Sequence, residues 1–152
     1  MNKSDFLTDT QCSLLVDIID HIVPKNGELT AGGHIVIDYV ESYAKTSPKT
    51  KRMLLDILAL TDAMSGSLYN EKFLDIADFS KEPLLKEVEA QNSVIFGELV
   101  ALVYDAYYTN EAVIKQIGPD AGIPQPKGAS YQPFNPDIVE NVRKLGPEYR
   151  EV

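Results

Sequence analysis

Two carboxylate–histidine pairs have the residue types and spacing that acid–base chemistry or metal ligation requires. Asp17 and His21 are four residues apart, and so are His34 and Asp38. Residues at that spacing share one side of a helix, and two helices that each present such a pair are one way to hold a metal ion. The phase of the neighbouring apolar residues argues against that use. His34 and Asp38 point nearly opposite the stripe of Val36, Val40 and Tyr43, and Asp17 with His21 lies at the flank of the stripe through Leu14, Leu15 and Ile18. Both pairs therefore read as solvent-facing electrostatic contacts, with a metal or acid–base site as the sharper alternative.

A second group is aromatic. Tyr104, Tyr107 and Tyr108 cluster at the end of the most apolar stretch, and Tyr131, Phe134 and Tyr149 follow in a proline-rich remainder. A tyrosine ring buries a large area while keeping one polar handle, which suits it to cores and to interfaces between proteins. The six residues are expected to form a partner-binding surface; the lining of a small-molecule pocket is the competing reading.

Motifs for self-contained catalysis are missing from the sequence. It holds no G-x-G-x-x-G dinucleotide fingerprint, no G-x-x-x-x-G-K phosphate loop and no G-x-S-x-G nucleophile elbow. Cys12 is the single cysteine, so an intrachain disulfide, a thiolate metal cluster and a C-x-x-C-H haem attachment are all excluded. No cofactor is expected on this chain. The formal charge of −9 over 152 residues, with Lys49, Lys51 and Arg52 as the longest basic cluster, argues against nucleic acid, whose affinity for proteins comes from clustered cations. The same charge repels anionic membranes and suits a basic partner surface. No apolar run approaches the ~20 residues that span a bilayer, so direct membrane insertion is not expected. The opening Met1-Asn2-Lys3-Ser4-Asp5 is no signal peptide, and no two arginines are adjacent; the chain is expected to stay in the cytoplasm unless a leader or a partner takes it to the periplasm.

The elements that position these groups read as helices. Leu14, Leu15, Ile18, Ile19 and Ile22 repeat at helical spacing behind a Thr8 or Asp9 cap, and Pro24 ends that helix. Cys12 falls on the same stripe and is expected to be a small buried residue. A second helix is predicted from about His34 to Ala44, with Val36, Val40, Tyr43 and Ala44 on its apolar side. Ser47-Pro48 opens a third, which carries Leu54, Ile57, Leu58, Thr61 and Met64, is expected to close at Gly66, and is the candidate for a central position. Phe73, Leu74, Ile76 and Phe79 must pack in a less regular stretch. Ser80 is expected to cap a fourth helix with Pro83 in its first turn. The strongest helix starts near Asn92 or Ser93 and presents Phe96, Leu99, Val100, Val103, Tyr104 and Tyr107; Asn110 then caps a short one through Val113, Ile114 and Ile117.

Six of the nine prolines follow Gly118. The expectation is an all-α helical domain over residues 1–118, a compact bundle of about six helices, and a proline-rich extended C-terminal strap over 119–152 that packs on the domain or on a partner.

The order of these features resembles the gluconate 2-dehydrogenase subunit 3 family. The resemblance rests on the helix ending in Ile22-Val23-Pro24 and the glycine-containing loop behind it. It continues in the long helix ending in Tyr107-Tyr108-Thr109-Asn110-Glu111, in Ile117-Gly118, in Gly128 and Tyr131, and in Gly146-Pro147-Glu148-Tyr149-Arg150. It implies a noncatalytic small subunit that stabilises or escorts a large FAD-carrying dehydrogenase of the glucose–methanol–choline type, often with a cytochrome subunit. In that arrangement the partner holds the flavin and oxidises a sugar or sugar acid.

Overall fold

The computed structural model describes residues 6–26, 31–117 and Lys144. Six helices follow one another: α1 (Asp9–Ile22), α2 (Gly33–Thr46), α3 (Pro48–Tyr69), α4 (Asp78–Gln91), α5 (Ser93–Thr109) and α6 (Glu111–Ile117). The fold is an all-α bundle, with no strand among the described residues. The strap and its residues Tyr131, Phe134 and Tyr149 lie outside the described residues.

Local chemistry sets the helix ends. Thr8 and Gln11 cap α1 reciprocally, each side chain accepting the other's backbone N–H, which satisfies two otherwise orphaned donors. Ser47 accepts the Thr50 N–H and Pro48 occupies the first turn of α3. The Asn110 side chain accepts from Ala112 and Val113 at the start of α6.

Two helix ends differ from the sequence expectation. α3 runs through Gly66 and stops at Asn70, whose left-handed backbone (φ 58°) directs its N–H to the Gly66 carbonyl. Asparagine tolerates that conformation, so the glycine was not required. α4 begins at Asp78, so Ser80 is a buried residue inside its first turn. Pro83 then falls further along the helix and cannot donate to the Phe79 carbonyl.

Helix α5 packs against all five others, so it rather than α3 is the hub; α3 touches α1, α2, α4 and α5. The core is built from Leu15, Ile18 and Ile19 of α1, Val36 and Val40 of α2, Leu54 and Ile57 of α3, Phe73 of the connection between α3 and α4, Leu84 and Val88 of α4, and Leu99 and Val103 of α5. α1 and α2 approach closely at Gly33, where an added Cβ would stand 2.7 Å from the Val16 carbonyl oxygen. Among the described residues no helix is long and apolar enough to cross a membrane.

Three side chains depart from their expected places. Tyr43 shares the phase of Val36 but is 47% exposed; its ring stacks on Tyr39 at 6.3 Å and 8°, since a tyrosine can pack by its body and keep its tip wet. Phe79 faces solvent instead of packing. Cys12 is half-buried, because its edge of α1 borders a groove instead of the core.

Candidate functional site

Helix α1 carries the first carboxylate–histidine pair between α2 and α4. Asp17 Oδ2 lies 2.7 Å from Lys81 Nζ of α4, and Asp17 Oδ1 lies 3.2 Å from His21 Nδ1. Nδ1 is also 2.8 Å from the Asp17 carbonyl oxygen. Both neighbours are acceptors, so Nδ1 carries a hydrogen. Phe73 underlies the group, with the His21 ring edge-on at 6.3 Å and Lys81 Nζ at 5.7 Å from the ring centroid. The pair is therefore no solvated contact, as the sequence suggests, but a part-buried cluster completed by Lys81, which lies 64 positions away and which helical phase alone does not reveal.

The second pair is arranged differently. His34 and Asp38 are both exposed on α2. Together with Asp17 they line a groove of about 380 Å³ between α1 and α2, while His21 lines a separate one. The four residues thus do not converge. Among the described residues no three His, Cys, Asp or Glu side chains are placed to hold a metal ion.

The α1–α2 groove has a feature that the sequence reading missed. Glu41 of α2 lines it and is only 8% exposed. Among the described residues its hydrogen-bond donor is the Cys12 thiol, with Sγ 3.7 Å from Oε1. Burial pushes the Cys12 thiol above its ordinary value, and the neighbouring Glu41 charge raises it further. The available signal was weak: Glu41 stands three residues before Ala44, about 60° from it around the helix, at the margin of the buried stripe.

Around α5 the tyrosines divide. Tyr107 is buried, whereas Tyr104 (43%) and Tyr108 (53%) are exposed. Tyr108 meets Tyr107 edge-on at 5.4 Å and Tyr104 at 6.0 Å. Burial raises the Tyr107 hydroxyl above its usual range, with the Tyr108 ring adding to it. Tyr104 borders a groove of about 640 Å³ between the end of α1, α4 and α5, whose floor includes Leu85, Phe96 and Val100; Tyr107 and Tyr108 do not line it. Of the three tyrosines, Tyr104 lines that groove. Tyr39 and Tyr43 add a second exposed aromatic pair, with Tyr39 Oη donating to Asp105 Oδ2 of α5 at 3.3 Å. Partial burial and the Asp105 charge hold that hydroxyl above its usual value.

No curated protein and no solved structure matches the chain. The family model described as gluconate 2-dehydrogenase subunit 3 matches residues 9–121, from the first residue of α1 past the end of α6. That span covers well over half of the 152 residues, so the chain belongs to the gluconate 2-dehydrogenase subunit 3 family, a family of accessory subunits.

Proposed function

We propose that this chain is the noncatalytic subunit that stabilises or escorts a large FAD-dependent dehydrogenase of the glucose–methanol–choline type. The flavin sits on the partner, and a cytochrome subunit is a further candidate member of the complex. The family membership carries the reading. The sequence agrees with it, since the chain has no dinucleotide fingerprint of its own.

The docking surface in this reading is the exposed aromatic end of α5, Tyr104 and Tyr108, supported from behind by buried Tyr107. Tyr131, Phe134 and Tyr149 of the C-terminal segment complete it. Aromatic rings give large contact area at small entropic cost, which is why they concentrate at interface centres. The Tyr104→Ala/Tyr108→Ala variant tests the surface: affinity for the dehydrogenase subunit is expected to fall while the helical content and unfolding midpoint of the free chain stay at wild-type values. Unchanged affinity would remove this surface from the interface.

A further inference from the structure

The sequence from Asn135 to Gly146 carries the pattern of a short amphipathic helix. Asn135 suits the cap, Pro136 suits the first position, and Gly146-Pro147 is a stop. Ile138, Val142 and Leu145 stand at i, i+4 and i+7 and so share one stripe. Lys144 is helical and exposed, and its position is about 130° around a helix from the centre of that stripe. Isolated helices shorter than ~12–15 residues are marginal in water, so a helix here has to be held by packing of its apolar stripe.

The bundle offers a surface that fits such a stripe. The groove of about 640 Å³ between the end of α1, α4 and α5 has Ile22, Leu85, Phe96 and Val100 along its floor and Tyr104 at its edge. α6 packs on α5, so the chain leaves the bundle beside the helix that forms one wall of this groove. α5 also borders a groove toward α2 and α3, but Lys49, Glu98 and Asp105 line that one. The groove between α3 and α4 does not reach α5. Reach is no obstacle: the 19 residues from Gly118 to Pro136 span on the order of 60 Å when extended, against roughly 33 Å for the 22-residue α3. Residues 119–152 hold five acids and four bases, so the segment meets the acidic bundle with little repulsion.

We propose that residues 137–145 lie as a helix in this groove, with Ile138, Val142 and Leu145 on its floor. Anchors at i, i+4 and i+7 are the signature of a helix laid into an apolar groove. The segment follows the family match, which ends at residue 121, so the arrangement is a property of this chain. Docked in this way it brings Tyr131, Phe134 and Tyr149 to the side of the bundle where Tyr104 stands and assembles the docking surface; that consequence rests on the accessory-subunit reading.

The test uses the full chain, labelled at its methyl groups, with Val142→Asp and Lys144→Ala variants. Nuclear Overhauser contacts from the methyls of Val142 and Leu145 to those of Leu85 and Val100 are expected in the wild type and in Lys144→Ala, and not in Val142→Asp. Amides 139–145 should exchange about tenfold slower in the first two proteins than in Val142→Asp, with Leu54 and Leu99 equally protected in all three. Absence of those contacts in the wild type, or exchange of its amides 139–145 at the rate of an unstructured chain, would overturn the proposal. Contacts seen only between differently labelled copies would give the groove to a second copy and overturn it too, as would contacts that form only once the dehydrogenase subunit is added. Affinity for that subunit reads the consequence, and Val142→Asp should lower it about tenfold. Equal affinity would overturn the assembled docking surface, with the groove assignment upheld by the contacts. Contacts present in a chain that binds no flavoprotein would support the groove assignment and overturn the accessory role.

Discussion

On the flank of α1 that meets α4, Asp17 and His21 close against Lys81 and the ring of Phe73. On the flank that meets α2, Glu41 is buried and, among the described residues, accepts from the Cys12 thiol. Both flanks hold carboxylates in partly dry surroundings, yet among the described residues only the first has a cation brought to it by another helix. A part-buried acid with a lysine 2.7 Å away joins two helices together. Position relative to the core does not separate the two cases; the presence or absence of a cation delivered by a distant helix does.

Phe73→Ala should give the largest break in this comparison. The ring is fully buried and supports both His21 and Lys81, so its loss should cost about 3–5 kcal/mol in chemical denaturation. Lys81→Met should follow at about 2 kcal/mol. It strands Asp17, but Asp17 is 21% exposed and water takes up part of the charge, so the cost falls below that of a fully buried pair. Lys81→Met at no measurable cost would mean that the completed flank is not a strut.

Thr61→Val should act in the opposite direction. Among the described residues the Thr61 hydroxyl and that of Ser65 are buried without a partner, and replacing such a group by an apolar isostere is expected to stabilise by about 1 kcal/mol. A loss of stability instead would show that this hydroxyl is satisfied.

The pH response sharpens the α2 flank. The Cys12 thiol is raised above its ordinary 9.0 by burial and by Glu41, so the folded state holds its proton more tightly than the unfolded chain does. That contribution is complete below the unfolded thiol's value and is lost as pH climbs through the folded one. Tyr39 and Tyr107 are raised in the same direction from 10.0. The denaturation midpoint should therefore decline as the solution is taken from neutral through the thiol and phenol range. Glu41→Gln should make the decline shallower and quicken alkylation of Cys12 at fixed alkaline pH, because the nearest opposing charge is gone. Alkylation no faster in the variant would break the Cys12–Glu41 link.

The helices themselves were readable because they are written in local terms. The Thr8 cap, Ser47-Pro48, Asn110 and the apolar repeats of α1 and α5 all act within a few residues, and the structure places each where the pattern puts it. What escaped depends on contacts between helices. Lys81 reaches Asp17 across the bundle, Glu41 is covered by α1, and Tyr43 is left uncovered although its phase matches that of buried Val36. Helical phase states which side of a helix a residue is on, not how far the neighbouring helix extends to cover it. The family resemblance was legible for a different reason: it rests on the order of several weak segments along the chain, and the family match spans 9–121.

The measurement that bears most directly on the accessory role is purification of the tagged chain from its native host under mild conditions, followed by an absorbance spectrum and a subunit ratio for the eluate. A stoichiometric large subunit with oxidised-flavin absorption, whose yield falls when Tyr104 and Tyr108 are replaced by alanine, is the expected result. A colourless chain that elutes alone and without loss of stability would contradict it.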